Sequence, residues 1–378
     1  MLCSVTINNF KSFKQKSTID LERTNYQMLA SSNISGEILK GVMFVGANAS
    51  GKSNSVLAVK FILDCLFGKT DFDIYSYFCL FSKEPSMDLN YVFDIRGKKI
   101  TYSISFQKVN ESIKEELFID EEKVYFRDGK YAEVSISSFS RHEDVPNNTL
   151  FLRDVYFNTK FRGNEILQEW FDFLSNSVYL DLYTKRIISY KNIDLSIKSF
   201  LDNNGDEEIN NFFNKYNFEQ AIEYDTDSTG PNISVHADKK MIYFKRKGID
   251  EPVPYMFEST GNQNLIRLLP AFFYIITEGG MLLLDEFSSG FHNDLEELLI
   301  KYFMQNSEKS QLLFVSHSTN LLTNSLLRPD QIYSVDFDEN GTHLKRFSSE
   351  KPREAQNLEK MYLSGIFSGV PKYGSISE

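Results

Sequence analysis

Apolar and polar residues alternate over residues 2–8, and Ser17 to Leu21 repeats the pattern, which predicts an opening hairpin. Tyr91–Ile95 and Ile100–Phe106 flank a turn at Gly97 and predict a second hairpin, while Phe118–Val134 predicts short strands around Asp128-Gly129. Residues 25–41 read as a polar connection. Val42-Met43-Phe44-Val45 reads as a short buried strand, and Val56, Val59, Ile62, Leu63 and Leu66 recur at helical spacing over Ser55–Phe67. From residue 145 to about 220 the alternation fades. Glu165–Leu174, Leu195–Leu201 and Glu207–Tyr216 predict helices, with a turn at Asp202–Asp206; strands return at Ile233–Val235 and Met241–Phe244. The most apolar stretch, Leu265–Leu284, is broken by Arg267, Pro270, Glu278, Gly279 and Gly280. It predicts a core helix followed by a core strand, not a membrane span. There is no internal repeat, low-complexity tract or sustained heptad.

Between the Val42 strand and the Ser55 helix lies Gly46-Ala47-Asn48-Ala49-Ser50-Gly51-Lys52-Ser53, a Gly-x-x-x-x-Gly-Lys-Ser loop. Strand, glycine loop and helix in that order form a phosphate cradle. The glycines let backbone N–H groups close around a phosphate, and the helix start adds partial positive charge. Lys52 can reach the terminal phosphates and the Ser53 hydroxyl can ligate Mg²⁺. A glycine-rich turn before an ordinary helix is the plain alternative, which both flanks argue against. Met281-Leu282-Leu283-Leu284-Asp285-Glu286 predicts a central parallel strand ending in two acids. Strand ends of this kind carry the site in parallel sheets, so Asp285 can hold Mg²⁺ and Glu286 can polarise the attacking water. Leu312–Val315 predicts another apolar strand, ending at Ser316-His317-Ser318, which brings His317 out at the same edge as a γ-phosphate sensor. Glu258-Ser259-Thr260-Gly261-Asn262-Gln263 precedes a helix rich in Leu, Ile and Phe, with Ser259 as a candidate N-cap.

Composition changes this picture little. A chain of 378 residues with 42% apolar content suits two lobes, or one nucleotide domain with a large insertion. A net charge of -11 argues against a surface that binds nucleic acid throughout; the local basic runs at Lys11, Lys14 and Lys16 and at Lys239, Lys240, Lys245, Arg246 and Lys247 are candidate patches that read better as solvated strand or hairpin faces. Cys3, Cys65 and Cys79 show no metal-ligand spacing and fit a reducing cytoplasm. The Asp-x-Asp pairs Asp71/Asp73, Asp225/Asp227 and Asp336/Asp338 lack companion motifs and read as solvated acids.

Taken together, these motifs resemble the ATP-binding-cassette-type ATPases of the SMC/Rad50/RecF group, and most closely the small AAA15/AAA21 ATPases akin to the overcoming-lysogenisation-defect family. Val5-Thr6-Ile7-Asn8-Asn9-Phe10-Lys11-Ser12-Phe13 is similar to that group's first strand and turn. Phe287-Ser288-Ser289-Gly290-Phe291-His292, Arg328–Tyr333 and Tyr362–Gly365 through Pro371 are similar to its later segments. The resemblance covers roughly residues 1–110 and 230–375. It implies an α/β fold: an ABC-type P-loop ATPase head with N-terminal antiparallel strands, a parallel core sheet with flanking helices, and a mainly helical insertion. The divisions are 1–145, 146–230 for the insertion, and 231–378.

The resemblance also implies the site. ATP would lie on Gly46, Asn48, Ser50, Gly51, Lys52, Ser53 and Asn54, and Asn9 and Phe10 would approach the adenine. Mg²⁺ would lie on Ser53 and Asp285. Glu286 would be the catalytic base and His317 the switch histidine, with Lys52 assisting. Ser259 and Gly261 would act as a signature motif across a head-to-tail pair of copies, or within a higher oligomer. The signature departs from the usual Ser-Gly-Gly-Gln, and the Q-loop glutamine has no clear position, with Phe81–Met87 and Gln107 the places to look. The chain ends about sixty residues after His317, which is short for the Toprim domain of full-length relatives.

The leading reading is an ATPase that senses for, or regulates, a separately encoded effector or nuclease in bacterial anti-phage, abortive-infection defence. The alternative is a RecF-like DNA-repair ATPase that binds nucleic acid. A transporter's nucleotide subunit fits worst, and no membrane partner is expected.

Overall fold

The computed structural model describes residues 1–68, 73–136, 138–232, 234–288 and 291–371. The chain divides into two compact units. One comprises Met1–Lys191, Ile275–Ser288 and Asn293–Glu378; the other comprises Asn192–Tyr274 and Ser289–His292.

The larger unit holds two sheets. Strict alternation produces the first, an eight-stranded antiparallel sheet in the order Ser140–Glu143, Tyr131–Val134, Glu122–Asp128, Ser112–Ile119, Lys98–Gln107, Ser86–Ile95, Leu2–Asn8 and Ser17–Asp20. Along Ser86–Ile95 every second residue is buried, so one face packs inward and the other stays wet. Trp170 on the helix Glu165–Ser175 fills that inner face against Phe93 and Tyr102.

Continuous apolar runs produce the second sheet, in the order Arg186–Ser189, Val178–Asp181, Gly280–Asp285, Ser310–Val315, Gly41–Gly46, Ile332–Asp338 and Gly341–Arg346. The five strands from Val178–Asp181 to Ile332–Asp338 run parallel. Gly41–Gly46, Gly280–Asp285 and Ser310–Val315 are buried at every position, as strands covered on both faces must be. The helix Lys52–Phe67 packs on this sheet through Val56, Val59, Ile62, Leu63 and Leu66, all fully buried. The expected α/β fold, with N-terminal antiparallel strands and a parallel core sheet flanked by helices, is therefore present.

Two buried ion pairs pin irregular segments to this frame. Arg127 and Glu115 are both fully buried, 2.9 Å apart. The Arg127 guanidinium also donates to the carbonyls of Gly129, Pro146 and Thr149. Glu115 accepts from the Tyr102 hydroxyl and from the amides of Phe151 and Leu152, which begin the helix Phe151–Thr159. From that helix Arg153 donates to the Leu66 and Gly68 carbonyls at the end of the phosphate-loop helix. Elsewhere Arg328 and Asp330 hold the segment around Thr24–Met28 in the same manner.

The smaller unit contains the helices Ile197–Asn204 and Glu207–Lys215, a three-stranded antiparallel sheet (Gln220–Thr229, Ser234–Arg246, Ile249–Pro254) and the first part of the helix Thr260–Glu278. Phe212 and Phe213 form its core with Phe218, and Phe273 packs on Phe200 and Phe212.

The helices expected after residue 145 are present, but they fall in both units. The contact boundary lies at 191–192, not at 145–146. The stretch also contains two strands the sequence reading lacks, Val178–Asp181 and Arg186–Ser189, which extend the core sheet. The segment 25–41, expected to be a polar connection, carries a short helix and two two-residue strands. Ile233 and Asp71 lie outside the described residues. Asp73 accepts the Tyr75 amide, while Asp227 pairs with His236 and Asp338 with His343. Among the described residues there is no cluster of three or more metal-ligating side chains, and no helix is long and apolar enough to cross a membrane. In the later basic run, Lys245 pairs with Glu223 and Arg246 with Glu258.

Candidate nucleotide site

Parallel strands that end together bring their following residues to one edge, and in the larger unit that edge gathers the residues singled out by sequence. Gly41–Gly46 leads into the glycine loop, Gly280–Asp285 into Glu286, and Ser310–Val315 into His317. A cavity of about 690 Å³ opens there, lined by Asn48, Ala49, Gly51, Lys52, Ser53, Asn54, Glu286 and His317.

The loop sits tightly against the residues behind it. Gly51 has φ of 104°, in the region that favours glycine, and a side chain there would meet Thr342 Oγ1 at 2.2 Å and Ser12 Oγ at 2.8 Å. Those two hydroxyls seat the loop from behind: Thr342 Oγ1 donates to the Ser50 carbonyl at 2.9 Å, and Asn54 Nδ2 donates to Ser12 Oγ at 2.7 Å. Sequence reasoning gave neither Ser12 nor Thr342 a role, since their proximity depends on a contact 330 residues apart.

Lys52 is buried. Its ammonium folds back on the loop, donating to the Gly46 and Ala47 carbonyls at 3.1 and 2.7 Å. Burial lowers its pKa, and Glu286 and Asp285 pull it back up. A buried cation held only by neutral carbonyls is a natural partner for a phosphate. Ser53 Oγ donates to Asp285 Oδ1 at 2.9 Å. Burial raises the Asp285 pKa against that hydrogen bond, and the nearby carboxylates of Glu286 and Asp181 raise it further. A hydroxyl and one carboxylate in contact make the donor set that Mg²⁺ uses when phosphate oxygens complete its shell. The Ser53–Asp285 pair fits that ion. Asp181, at the end of the neighbouring strand, is a further acid that sequence reasoning missed; its signal was the apolar run Val178-Tyr179-Leu180 ending in Asp.

Glu286 stands at φ 54°, a left-handed conformation rare outside glycine, and its amide donates to Asp285 Oδ1. The next amide, of Phe287, donates to the Val315 carbonyl on the histidine strand. This turn aims the Glu286 carboxylate at His317, whose Nε2 lies 3.9 Å from Glu286 Oε2. Burial and the Lys52 charge lower the His317 pKa, against a smaller upward pull from Glu286, so the ring favours its neutral form.

The turn holding His317 rests on Glu296, a buried residue of the helix Asn293–Asn306 whose carboxyl faces Ser316 and Ser318. Burial raises the Glu296 pKa, and one of its oxygens lacks a partner. A folded pKa above the unfolded value stabilises the fold in acid, and the contribution is lost as pH rises through the folded pKa. Glu296→Gln is therefore expected to raise Tm at pH 7.5, with the gap closing as pH falls towards 4.5, the ordinary value for Glu. A Gln variant that melts lower than wild type at pH 7.5 would contradict this account of Glu296.

Four expected residues are elsewhere. Phe10 is fully buried against Phe61 and Tyr77, so its ring belongs to the core and cannot meet an adenine. Asn9 is also buried; its Nδ2 donates to the Glu84 and Ser86 carbonyls and ties down the 79–86 segment. Ser259 and Gly261 lie in the smaller unit. There Ser259 Oγ accepts the Asn262 amide at 3.2 Å, as an N-cap does, and Glu258 holds Arg246 through both carboxylate oxygens. Ser289 and Gly290, in the segment after Glu286, lie outside the described residues.

The sequence model of a family described as "AAA domain, putative AbiEii toxin, Type IV TA system" matches residues 42–323, a span that runs from the strand before the phosphate loop past His317. Solved structures share the fold. One is described as the SmcHead bound to the C-winged helix domain of ScpA. It is 15% identical, with 91% of this chain and 97% of that one covered and a TM-score of 0.53. Another is the Smc head domain with an extended coiled coil bound to the C-terminal domain of ScpA, derived from Pyrococcus furiosus. It is 13% identical, with 93% and 97% covered and a TM-score of 0.50. At these identities the likeness shows the head fold alone. No curated protein matches the chain.

Proposed function

The chain belongs to the AAA-domain family described as "putative AbiEii toxin, Type IV TA system", and from that premise we propose that two copies close head to tail around Mg-ATP and open on hydrolysis. It is an ATPase on the head fold shared with SMC proteins. The observation that carries the proposal is the single sheet edge where Lys52, Ser53, Glu286 and His317 line one cavity, with Asp285 bonded to Ser53 behind its wall.

In this reading Lys52 leaves its loop carbonyls and holds the terminal phosphates. Ser53 and Asp285 would hold Mg²⁺, which would supply charge neutralisation at the phosphoryl oxygens. Glu286 orients water and accepts its proton, and neutral His317 senses the γ-phosphate. The cavity of one copy is open, and Ser259 with the helix start beneath Gly261, from the second copy, completes it. Closure then depends on the γ-phosphate, because that group alone touches both copies.

The family description supports placing this cycle in a toxin–antitoxin or abortive-infection setting, with the ATPase governing a separately encoded effector or nuclease. Sedimentation of Glu286→Gln with and without Mg-ATP tests the closure. The variant should run as a dimer with ATP and as a monomer without it. A sedimentation coefficient that ATP leaves unchanged would rule out nucleotide-driven pairing.

A further inference from the structure

Two large aromatic rings stand exposed in the larger unit, outside the set of side chains that line the cavity. Phe81 and Phe337 touch edge to face, with centroids 5.6 Å apart, and are 54% and 42% exposed; Leu80 next to them is 91% exposed. Neighbouring apolar side chains left in water mark a binding surface more often than isolated ones do.

Their position says what they bind. Phe337 lies on the strand Ile332–Asp338, directly opposite Thr342 on the strand Gly341–Arg346. Thr342 is the residue whose hydroxyl bonds the Ser50 carbonyl and Ser12 Oγ. Ser12 in turn accepts from Asn54, which lines the cavity. A short chain of contacts therefore links the cavity wall to the aromatic pair.

Sheet order fixes the side. The strand that feeds the phosphate loop has the Glu286 and His317 strands on one flank and the Phe337 strand on the other. If the hydrolysed end of the nucleotide faces Glu286 and His317, the base must leave towards Phe337. The loop carrying Phe81 is fastened for this. The Cys79 amide donates to the Asn9 carbonyl, and Asn9 Nδ2 holds the Glu84 and Ser86 carbonyls.

We propose that Phe81 and Phe337 form the platform on which the purine base of the bound nucleotide lies. This rests on the reading of the cavity as a nucleotide site, and it moves the base contact from Asn9 and Phe10 to a pair far apart in sequence. Stacking on two rings supplies affinity and tolerates either purine, because every base has a π face. Asn9 then acts as a positioning residue for the Phe81 loop.

The test is equilibrium binding of Mg-ATP and of Mg-tripolyphosphate to the full chain, to Phe81→Ala, to Phe337→Ala and to the double variant. Both side chains are exposed, so the fold tolerates their loss. Wild type should bind ATP more tightly than tripolyphosphate. Each alanine should weaken ATP roughly tenfold and leave tripolyphosphate unchanged, and Phe337→Trp should restore ATP binding. Unchanged ATP affinity in the double variant overturns the platform and assigns the pair to a protein contact. Equal wild-type affinity for ATP and tripolyphosphate also overturns it. A wild type that binds neither ligand fails at the earlier step, the nucleotide reading itself.

Discussion

Glu286→Gln should lower kcat for ATP hydrolysis by roughly 10²- to 10⁴-fold, the range a positioned general base contributes, while ATP binding persists. The magnitude follows from geometry. The glutamate sits in a left-handed turn, its amide bonded to Asp285 and the next amide bonded across to the histidine strand. Such a conformation is costly for a side-chain-bearing residue and is retained only where the surroundings enforce it. Here they aim one carboxylate into the cavity beside a neutral imidazole. Glutamine keeps the shape and hydrogen-bonding capacity but is no base, so KM should change little. Phosphate release from Mg-ATP at saturating nucleotide measures this directly. A variant that turns over at the wild-type rate would remove Glu286 from the chemistry.

Arg127→Ala should destabilise the larger unit by about 3–5 kcal/mol, because it strands the Glu115 carboxylate in the core. Both groups are fully buried, and together they satisfy four main-chain carbonyl or amide groups of the 146–152 segment. Losing the guanidinium also removes the donor from the half-exposed Pro146 and Thr149 carbonyls, a smaller loss because water can reach them. The effect should reach the nucleotide site, since the helix that Glu115 caps carries Arg153, which closes the end of the phosphate-loop helix. Replacing both partners, as Arg127→Met with Glu115→Gln, should recover much of the loss, because no charge then stays buried alone. Urea unfolding of the single and double variants gives the comparison. A cost below about 1 kcal/mol for Arg127→Ala would place the pair among ordinary surface bridges.

Local patterns were legible in the sequence. The alternation of residues 86–107 encodes a hairpin because one face is buried and the other wet. The apolar runs ending in Gly46, Asp285 and Val315 encode strands of one parallel sheet because both faces are covered. Once the strands share an edge, the Lys52, Asp285, Glu286 and His317 constellation follows. Long-range geometry was not legible. Val178–Asp181 is four residues long, too short for a period to declare itself; its apolar run ending in an acid was the one local cue, and pairing with Gly280–Asp285 makes it a strand. Phe10 sits in a motif where a ligand contact was expected, yet its ring is taken up by Phe61 and Tyr77 from distant segments. The Ser12–Thr342 hydroxyl contact and the Phe81–Phe337 pair join opposite ends of the chain, and no window of sequence shows either. The unit boundary at 191–192 depends on the same kind of information.

The central claim is that the sheet edge beside Lys52 holds magnesium nucleotide. Calorimetric titration of Mg-ATP into the purified chain and into Lys52→Ala tests it most directly. Saturable binding to wild type is predicted, weakened roughly ten- to hundredfold in the variant, as loss of a charged hydrogen bond to phosphate requires. Wild type and Lys52→Ala binding Mg-ATP equally well, or neither binding it at all, would contradict the account.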